Sequence, residues 1–271
     1  METASRREGE NLTEEDKFIV DNFTWSFSRL ESFYTCPLGW RRTYIDCEPK
    51  MSNAFAEYGS CCHSILEAYE KGEIDIFDIS GEYEKRFSEE VVTDFPPNKY
   101  TDLAQSYFEK GQKYFEEIDL PLDNMTILGV EEKVNFEIDG KPFVGFIDLR
   151  YKDKDGHMIF MDHKSASISF TKKGEVSKSC AEKMKKYKYQ QYLYTIPFIE
   201  SGEKVDYLEW NFFNCQKIYR ISWDSDEYAE AVTWAKHTID LIEKEEMWFP
   251  NPDYYFCHNL CDHRDFCEYK P

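Results

Sequence analysis

The chain has 271 residues, of which 41% are hydrophobic and 17% aromatic, and it carries a net charge of −20. This length and composition predict one compact domain that folds without disulfide bonds. No apolar run approaches the roughly 20 residues of a membrane span, and the polar N-terminus lacks a signal peptide's apolar stretch. We therefore expect an intracellular, cytoplasmic protein whose nine cysteines are metal ligands or buried thiols. The acidic balance argues against nucleic-acid binding by the surface as a whole and suggests a protein partner.

Helical patterns dominate the first half of the chain and return near its end. Residues 1–22 are polar and charged, and we predict a loosely ordered acidic tail there. Ser28 is a candidate N-cap for a short helix that stops at Pro37. His63 lies at the edge of an apolar helical stripe, where it can face a cleft. The predicted helices share an amphipathic pattern and cover residues 28–34, 58–69, 81–92, 99–118, 180–199 and 226–248.

Alternating apolar residues predict five strands between these helices. The strands cover residues 127–138, 141–151, 157–164, 205–213 and 216–221. Asp139-Gly140 is a tight-turn signal between the first two, and the first three strands are expected to form an antiparallel unit. The order of helices and strands predicts a mixed α/β domain over residues 23–271.

Two carboxylates and a lysine are predicted to meet on neighbouring strands. Asp148 closes the run Gly145-Phe-Ile-Asp on the second strand, and Asp162 opens Asp-His-Lys on the third. Because strand side chains alternate, Asp162 and Lys164 share a face, whereas His163 points away and is predicted to pack. Paired carboxylates suit Mg²⁺ or Mn²⁺, and the ammonium would offset charge on a phosphate. The group predicts phosphodiester hydrolysis; the alternative is a set of surface ion pairs at strand ends.

A basic run follows the third strand. Between Lys164 and Lys188, eight lysines stand against two glutamates, which gives +6 in 25 residues. A solvated loop and helix face is one interpretation. The other is a nucleic-acid contact formed by the lysines in this run, for which the candidates are Lys172, Lys173, Lys185 and Lys186.

Four cysteines have the spacing of a metal site. Cys257, Cys261 and Cys267 are separated by three and five residues near the C-terminus, and Cys36 stands alone near the N-terminus. Four thiolates can hold one [4Fe–4S] cluster. Zinc is the rival, bound by thiolates with His258 or His263. The other five cysteines lack such spacing and are predicted to pack as small hydrophobic residues.

The order of these residues resembles the PD-(D/E)XK nucleases of RecB type. The resemblance covers residues 23–267 and rests on His63, Gly145-x-x-Asp148, Asp162-x-Lys164 and Gln190-x-x-x-Tyr194. The chain is similar to the nuclease domains of RecB and AddB, to CRISPR-adaptation nucleases and to many bacteriophage exonucleases. The implied fold is a restriction-endonuclease-like mixed β-sheet flanked by helices, with a helical N-terminal part and a C-terminal cysteine-rich segment.

The resemblance also assigns roles to these residues. His63, Asp148, Asp162 and the backbone carbonyl of His163 would bind the Mg²⁺ or Mn²⁺, and Lys164 would assist catalysis. Gln190 and Tyr194 would border the DNA channel beside the basic run. Glu132 is a possible support for the metal site, although Glu131 could be the matching residue. Cys36, Cys257, Cys261 and Cys267 would hold the iron–sulfur cluster and close the domain, although this family usually has two residues between the first C-terminal pair.

The resulting hypothesis is a metal-dependent DNA exonuclease that prefers single-stranded or end-containing DNA, in a bacterium or a phage-infected cell. One alternative is a non-catalytic DNA-binding or scaffold subunit that keeps the fold while a partner cleaves. The presence of both aspartates and the lysine argues against this alternative. A zinc-stapled protein without nuclease activity is a third possibility.

Overall fold

The computed structural model describes residues 13–271, which form two compact units. The sheet unit comprises residues 52–134 and 145–229. The terminal unit comprises residues 13–51, 135–144 and 230–271. Across the described part of the chain, no helix combines the length and apolar character needed to cross a bilayer.

The helices largely follow the predicted pattern. They are α1 (Glu14–Asp21), α2 (Phe27–Thr35), α3 (Pro37–Tyr44), α4 (Ala54–Glu70), α5 (Ile79–Glu90), α6 (Leu103–Glu116), α7 (Ala181–Tyr194), α8 (Ile196–Glu200), α9 (Ser225–Glu243) and α10 (Tyr254–Asn259). The helix predicted over residues 180–199 is interrupted at Thr195 and continues as α8, with Pro197 in its first turn. Proline fits a first turn because its missing N–H has no helical partner there.

Five strands form one mixed sheet in the order β1-β2-β3-β4-β5. They are β1 (Thr126–Ile138), β2 (Lys141–Lys152), β3 (Met158–Lys164), β4 (Tyr207–Phe212) and β5 (Lys217–Ser222). β3 pairs antiparallel with β2 and parallel with β4, and β5 returns antiparallel to β4. The mixed sheet flanked by helices confirms the predicted restriction-endonuclease-like α/β class.

Helix α4 packs on the sheet through the apolar stripe seen in the sequence. Its residues Tyr58, Cys62, Ile65, Leu66 and Tyr69 join Leu149, Tyr151, Ile159 and Met161 in one buried cluster. Full burial of each large side chain contributes about 1.5–3 kcal/mol relative to exposure. Phe160 instead contacts Phe198 of α8, and because neighbouring strand residues face opposite sides, helices cover both faces of β3. This packing places His63, 31% exposed, beside the sheet.

The N-terminal prediction needs two corrections. Residues 1–12 lie outside the described part, but residues 14–21, predicted as a loose tail, form α1. Thr13 and Asp16 make a reciprocal capping box at its start, and Asp16 pairs with Arg41 at 3.4 Å in the interior of the terminal unit. The N-cap of α2 is Ser26 rather than Ser28, because the Ser26 hydroxyl accepts from the Arg29 backbone N–H.

Candidate active site

Asp148 and Asp162 come together where β2 and β3 separate. The strand register pairs Leu149 with Met161, so each aspartate lies one residue beyond that pair. Asp148 Oδ2 accepts a 2.6 Å hydrogen bond from the backbone N–H of His163. The two carboxylates are 9% and 6% exposed and line the same cavity. The sequence prediction that these two acids meet therefore agrees with the geometry.

Lys164 lies against Asp162. Its ammonium nitrogen is 2.8 Å from Asp162 Oδ1 and 3.0 Å from Gln190 Oε1, and 5.1 Å from the Tyr187 ring centroid. The ammonium thus joins the aspartate on β3 to the glutamine on α7. A cation held between a carboxylate and a neutral amide can donate its remaining hydrogen to a bound anion.

His63 and Glu131 lie beside Asp148 and add two more groups that could bind a metal. His63 Nδ1 is 3.6 Å from Asp148 Oδ2, and one donor atom from each of His63, Glu131 and Asp148 lies within 4.8 Å of the others. Burial, followed by the charges of His163 and Lys164, lowers the pKa of His63 to about 4. The imidazole is therefore neutral near pH 7 and keeps a lone pair for a metal.

The carboxyl groups of this site repel one another. Burial, reinforced by Asp148 and Glu67, raises the pKa of Glu131 to about 7. Burial also raises the pKa of Asp162 to about 6, with Lys164 opposing and Asp148 adding to the rise. A bound cation would offset this repulsion, and carboxylate oxygens with one imidazole form a donor set that divalent Mn²⁺ accepts and hard Mg²⁺ tolerates. The residues present thus fit a divalent metal.

The structure places Glu131, and not Glu132, at this site. Glu131 has a positive φ of 48°, which breaks the regular alternation of β1. Glu132 forms a bidentate ion pair with Arg150, with N–O distances of 2.7 and 3.0 Å. Of the two glutamates that the sequence left open, Glu131 is therefore the one that lies beside His63 and Asp148. A non-glycine residue with this backbone conformation is uncommon, and such residues cluster at functional sites.

His163 packs behind the site, as predicted. Its Nε2 is 2.8 Å from Glu70 Oε1 and its Nδ1 is 3.0 Å from the Asn211 side chain. Although burial opposes it, the Glu70 carboxylate raises the pKa of His163 to about 9. The ring thereby anchors the backbone whose N–H contacts Asp148. The prediction that the His163 carbonyl binds metal stays a prediction.

Sequence reasoning missed Glu67 and Glu70. They follow His63 on α4 by four and seven residues, which is the spacing of one helix face. That spacing was the available signal that acids would lie beside the histidine. Glu70 is 4% exposed, and burial raises its pKa against the opposing effect of His163.

Gly145 allows Tyr194 to approach β2. A Cβ placed on Gly145 would lie 2.4 Å from Tyr194 Cε1 and 2.6 Å from Cδ1. The glycine of the Gly145-x-x-Asp148 run is thus required for this close approach between β2 and α7. Burial raises the pKa of the Tyr194 hydroxyl far above its usual value, and the Gln190 side chain opposes this shift through a hydrogen bond.

We expect Gly145→Ala to destabilise the protein by about 1–3 kcal/mol, the usual cost of overpacking. The matched control is Gly81→Ala on α5, where an added Cβ would meet nothing within 4 Å and should stabilise the helix by about 0.5–1 kcal/mol. Urea unfolding of both variants measures the difference. Equal free energies of unfolding for the two variants would contradict the close approach.

The basic run lies on the loop between β3 and α7 and on α7 itself. Lys172, Lys173, Lys185 and Lys186 are all exposed. Tyr192 of α7 is fully buried, and its hydroxyl donates to Glu227 at 2.9 Å. It is therefore a core residue.

The four cysteines of the predicted cluster line one cavity in the terminal unit. Cys36, Cys257, Cys261 and Cys267 are free and half-buried around a space of about 350 Å³ that is partly open to solvent. Burial raises the pKa of the Cys261 thiol; the hydrogen bond from the His263 backbone opposes this rise, and the other three sulfurs add to it. The backbone N–H groups of Gly39 and His263 donate to Cys36 and Cys261 at 3.3 and 3.4 Å.

The two histidines of the zinc alternative differ in position. His258 is stacked on Tyr254 with ring centroids 4.2 Å apart. His263 lines the cavity, but its Nε2 is 3.0 Å from the Thr43 hydroxyl and its Nδ1 is 3.7 Å from Glu48. Of the remaining cysteines, Cys61 and Cys62 are buried as predicted, Cys180 and Cys215 are half-buried, and Cys47 is exposed.

Known proteins share the family and the fold of this chain. The family model of the PD-(D/E)XK nuclease superfamily matches residues 24–268. The solved structure of a candidate exonuclease from Eubacterium rectale has a TM-score of 0.53 and 15% identity, over 95% of this chain and 93% of that chain. The solved structure of SSO0001 covers 94% of this chain and 96% of that chain at 17% identity, with a TM-score of 0.31. No curated protein sequence matches. The chain belongs to the PD-(D/E)XK nuclease superfamily.

Proposed function

We propose that this protein is a Mg²⁺- or Mn²⁺-dependent deoxyribonuclease of the RecB-like branch that degrades DNA from single-stranded ends. The observation that carries the proposal is the convergence of Asp148, Asp162 and Lys164 with His63 and Glu131. Three carboxyl groups, a neutral imidazole and an ammonium form a set of side chains suited to metal-assisted hydrolysis of a phosphodiester. The exonuclease preference is supported by the resemblance of the motifs and by the fold shared with a candidate exonuclease.

The residues divide the work of hydrolysis between them. His63, Asp148 and Asp162 would hold the metal, with Glu131 as a further carboxylate and the His163 carbonyl as a further oxygen. When bound, the ion would act as a Lewis acid toward the scissile phosphate and would lower the pKa of a coordinated water. Lys164, fixed by Asp162 and Gln190, donates to the phosphate oxygens as their charge increases.

Because the net charge is −20, the protein needs a local region of positive charge to bind the phosphates of DNA. The exposed lysines at positions 172, 173, 185 and 186 lie on the loop and helix that follow Lys164, and we propose that they bind the DNA backbone. Gln190 contacts Lys164 and Tyr194 lines the cavity of the acids, so both would border the DNA. The remaining acidic surface is proposed to bind a protein partner, inside the cell.

We propose that the four-cysteine cavity holds a [4Fe–4S] cluster. Tetrahedral zinc with bonds of about 2.3 Å would require sulfurs about 3.8 Å apart. Within residues 13–271, the cysteine and histidine donor atoms of this cavity form no group of three within 4.8 Å, and the wider spacing suits a cluster. Backbone N–H donation to two of the sulfurs also supports it, since such hydrogen bonds tune cluster potentials.

Degradation of end-labelled DNA by anaerobically purified protein tests the proposed activity. Linear single-stranded and duplex DNA, each labelled at the 5′ or the 3′ end, would be incubated with Mg²⁺, Mn²⁺ or a chelator. Metal-dependent loss of linear single strands, with circular single strands left intact, is the expected result. Cleavage of circles would assign an endonuclease, whereas absence of cleavage on every substrate would favour the scaffold alternative.

Neighbouring glutamates on β1 provide a further prediction. We expect Glu131→Gln to lower cleavage about 10- to 100-fold, because second-sphere and supporting ligands of metal sites have effects of that size. Glu132→Gln should leave the cleavage rate unchanged, since Glu132 contacts Arg150 instead. Initial rates titrated with Mn²⁺ measure both. A larger loss in the Glu132 variant would reverse the assignment.

A further inference from the structure

The cavity lined by Asp148 and Asp162 also has an exposed aromatic side chain in its wall. Phe146 lines the cavity of Asp148 and Asp162 and is 51% exposed, whereas Ile147 and Phe160, which also line it, are 4% and 2% exposed. Phe146 therefore forms a solvent-facing part of a wall that is otherwise buried along β2 and β3.

The position of this ring matters more than its exposure. Single exposed hydrophobic residues are common on protein surfaces and need no explanation by themselves. Phe146, however, precedes Asp148 by two residues on β2, a separation of about 6.6 Å along a strand. A phosphate held at the two aspartates would therefore have its neighbouring nucleotide within reach of the ring.

We propose that Phe146 stacks on the base next to the scissile phosphate and thereby positions single-stranded DNA. This inference rests on the proposed nuclease function and deepens it. An uncharged aromatic face beside a phosphate site suits a ligand that joins an anion to a flat apolar ring, which is the chemistry of a nucleotide. A base inside a duplex already has both faces stacked, so it must leave the helix to reach Phe146. Phe146 thus favours ends whose bases are free.

Cleavage of oligonucleotides with one abasic position tests the contact. For the wild-type protein, removing the base at the contacted position should lower kcat/KM about 5- to 150-fold, the range of one stacked base. Phe146→Ala should be slower by a similar factor on intact DNA and insensitive to that abasic position. Phe146→Trp should retain the wild-type pattern, and Phe146→Leu, which keeps apolar bulk without an aromatic face, should not.

Phe77→Ala is the matched control, because Phe77 belongs to the sheet unit, is 91% exposed and does not line the cavity. This variant should behave as wild type on every oligonucleotide. Thermal unfolding of all variants separates misfolding from a lost contact. If the effects of Phe146→Ala and of the abasic position simply multiply, the two groups do not interact and the proposal is overturned.

Binding without cleavage separates this proposal from the proposed activity. A set of oligonucleotides, each carrying one 2-aminopurine at a different position, would be titrated with protein in buffer that contains a chelator, so that no metal-dependent hydrolysis occurs. Stacking on Phe146 should quench one position in the wild type and in Phe146→Trp, and in neither Phe146→Ala nor Phe146→Leu. Equal quenching in all four proteins would overturn the stacking, whether or not the protein cleaves DNA.

Discussion

Asp162→Asn is expected to lower metal-dependent cleavage by on the order of 10³-fold or more. Asparagine keeps the size of the side chain but lacks the negative charge that pairs with Lys164 and that is proposed to bind a divalent ion. Lewis-acid stabilisation is worth several kcal/mol, and each 1.36 kcal/mol corresponds to about tenfold in rate. Single-turnover cleavage of end-labelled single-stranded DNA at saturating Mn²⁺ measures the loss.

The Asp162→Asn substitution should lower the cleavage rate without lowering the stability of the fold. Asp162 is buried and repelled by Asp148, so its neutral replacement removes an unfavourable charge. We expect the thermal midpoint of Asp162→Asn to equal or exceed that of the wild type. Asp155→Asn, on the exposed loop between β2 and β3, is the matched control and should cleave normally. Retained cleavage by a folded Asp162→Asn protein would place the chemistry elsewhere.

The sheet and the acids could be predicted from the sequence because their signals are local. Alternation locates β2 and β3, and the two-residue spacing of Asp162 and Lys164 puts them on one face. The apolar stripe of α4 likewise places His63 at its edge. In each case the period of the side chains determines which residues are buried, so a single chain is enough.

The features that the sequence analysis did not predict depend on interactions that the period of the side chains does not encode. Strict alternation along β1 favours Glu132, and only the positive φ of Glu131 brings the neighbouring acid to the site. The charged composition of α1 is typical of a tail, although Thr13 and Asp16 carry the capping-box spacing. The proline after Cys36 correctly predicts the end of α2, but Pro37 begins α3 instead of ending helical structure.

Cys261→Ser is expected to remove iron and to unfold the terminal unit. Structural metal sites contribute on the order of 10 kcal/mol to folding in small domains, which is comparable to the whole stability of a typical protein. Around the cysteines, Arg42 pairs with Glu268 at 2.6 Å, Thr43 contacts His263 at 3.0 Å, and the Met51 N–H donates to the Asp262 carbonyl at 3.0 Å. Without the proposed cluster, non-covalent contacts of this kind have to hold these segments of the terminal unit together.

The thermal midpoint should fall by at least about 8 °C, since a loss of even ~4 kcal/mol corresponds to roughly 8–16 °C for domains of 150–250 residues. Circular dichroism and the iron and acid-labile sulfide content measure the change. Cys47→Ser is the matched control, because Cys47 is an exposed cysteine of the same unit that does not line the cavity. Its iron content and midpoint should equal those of the wild type.

Metal content also decides between the two rival cofactors. A brown wild-type protein that contains four irons and four sulfides per chain would have the composition of a [4Fe–4S] cluster. All four thiolates should then be required to hold that cluster. One zinc per chain in a colourless, equally stable protein would contradict the cluster. Because Cys36 and Cys267 line the same cavity, their serine variants should reproduce the loss seen with Cys261, whereas a zinc site completed by His263 would tolerate the loss of one of these sulfurs.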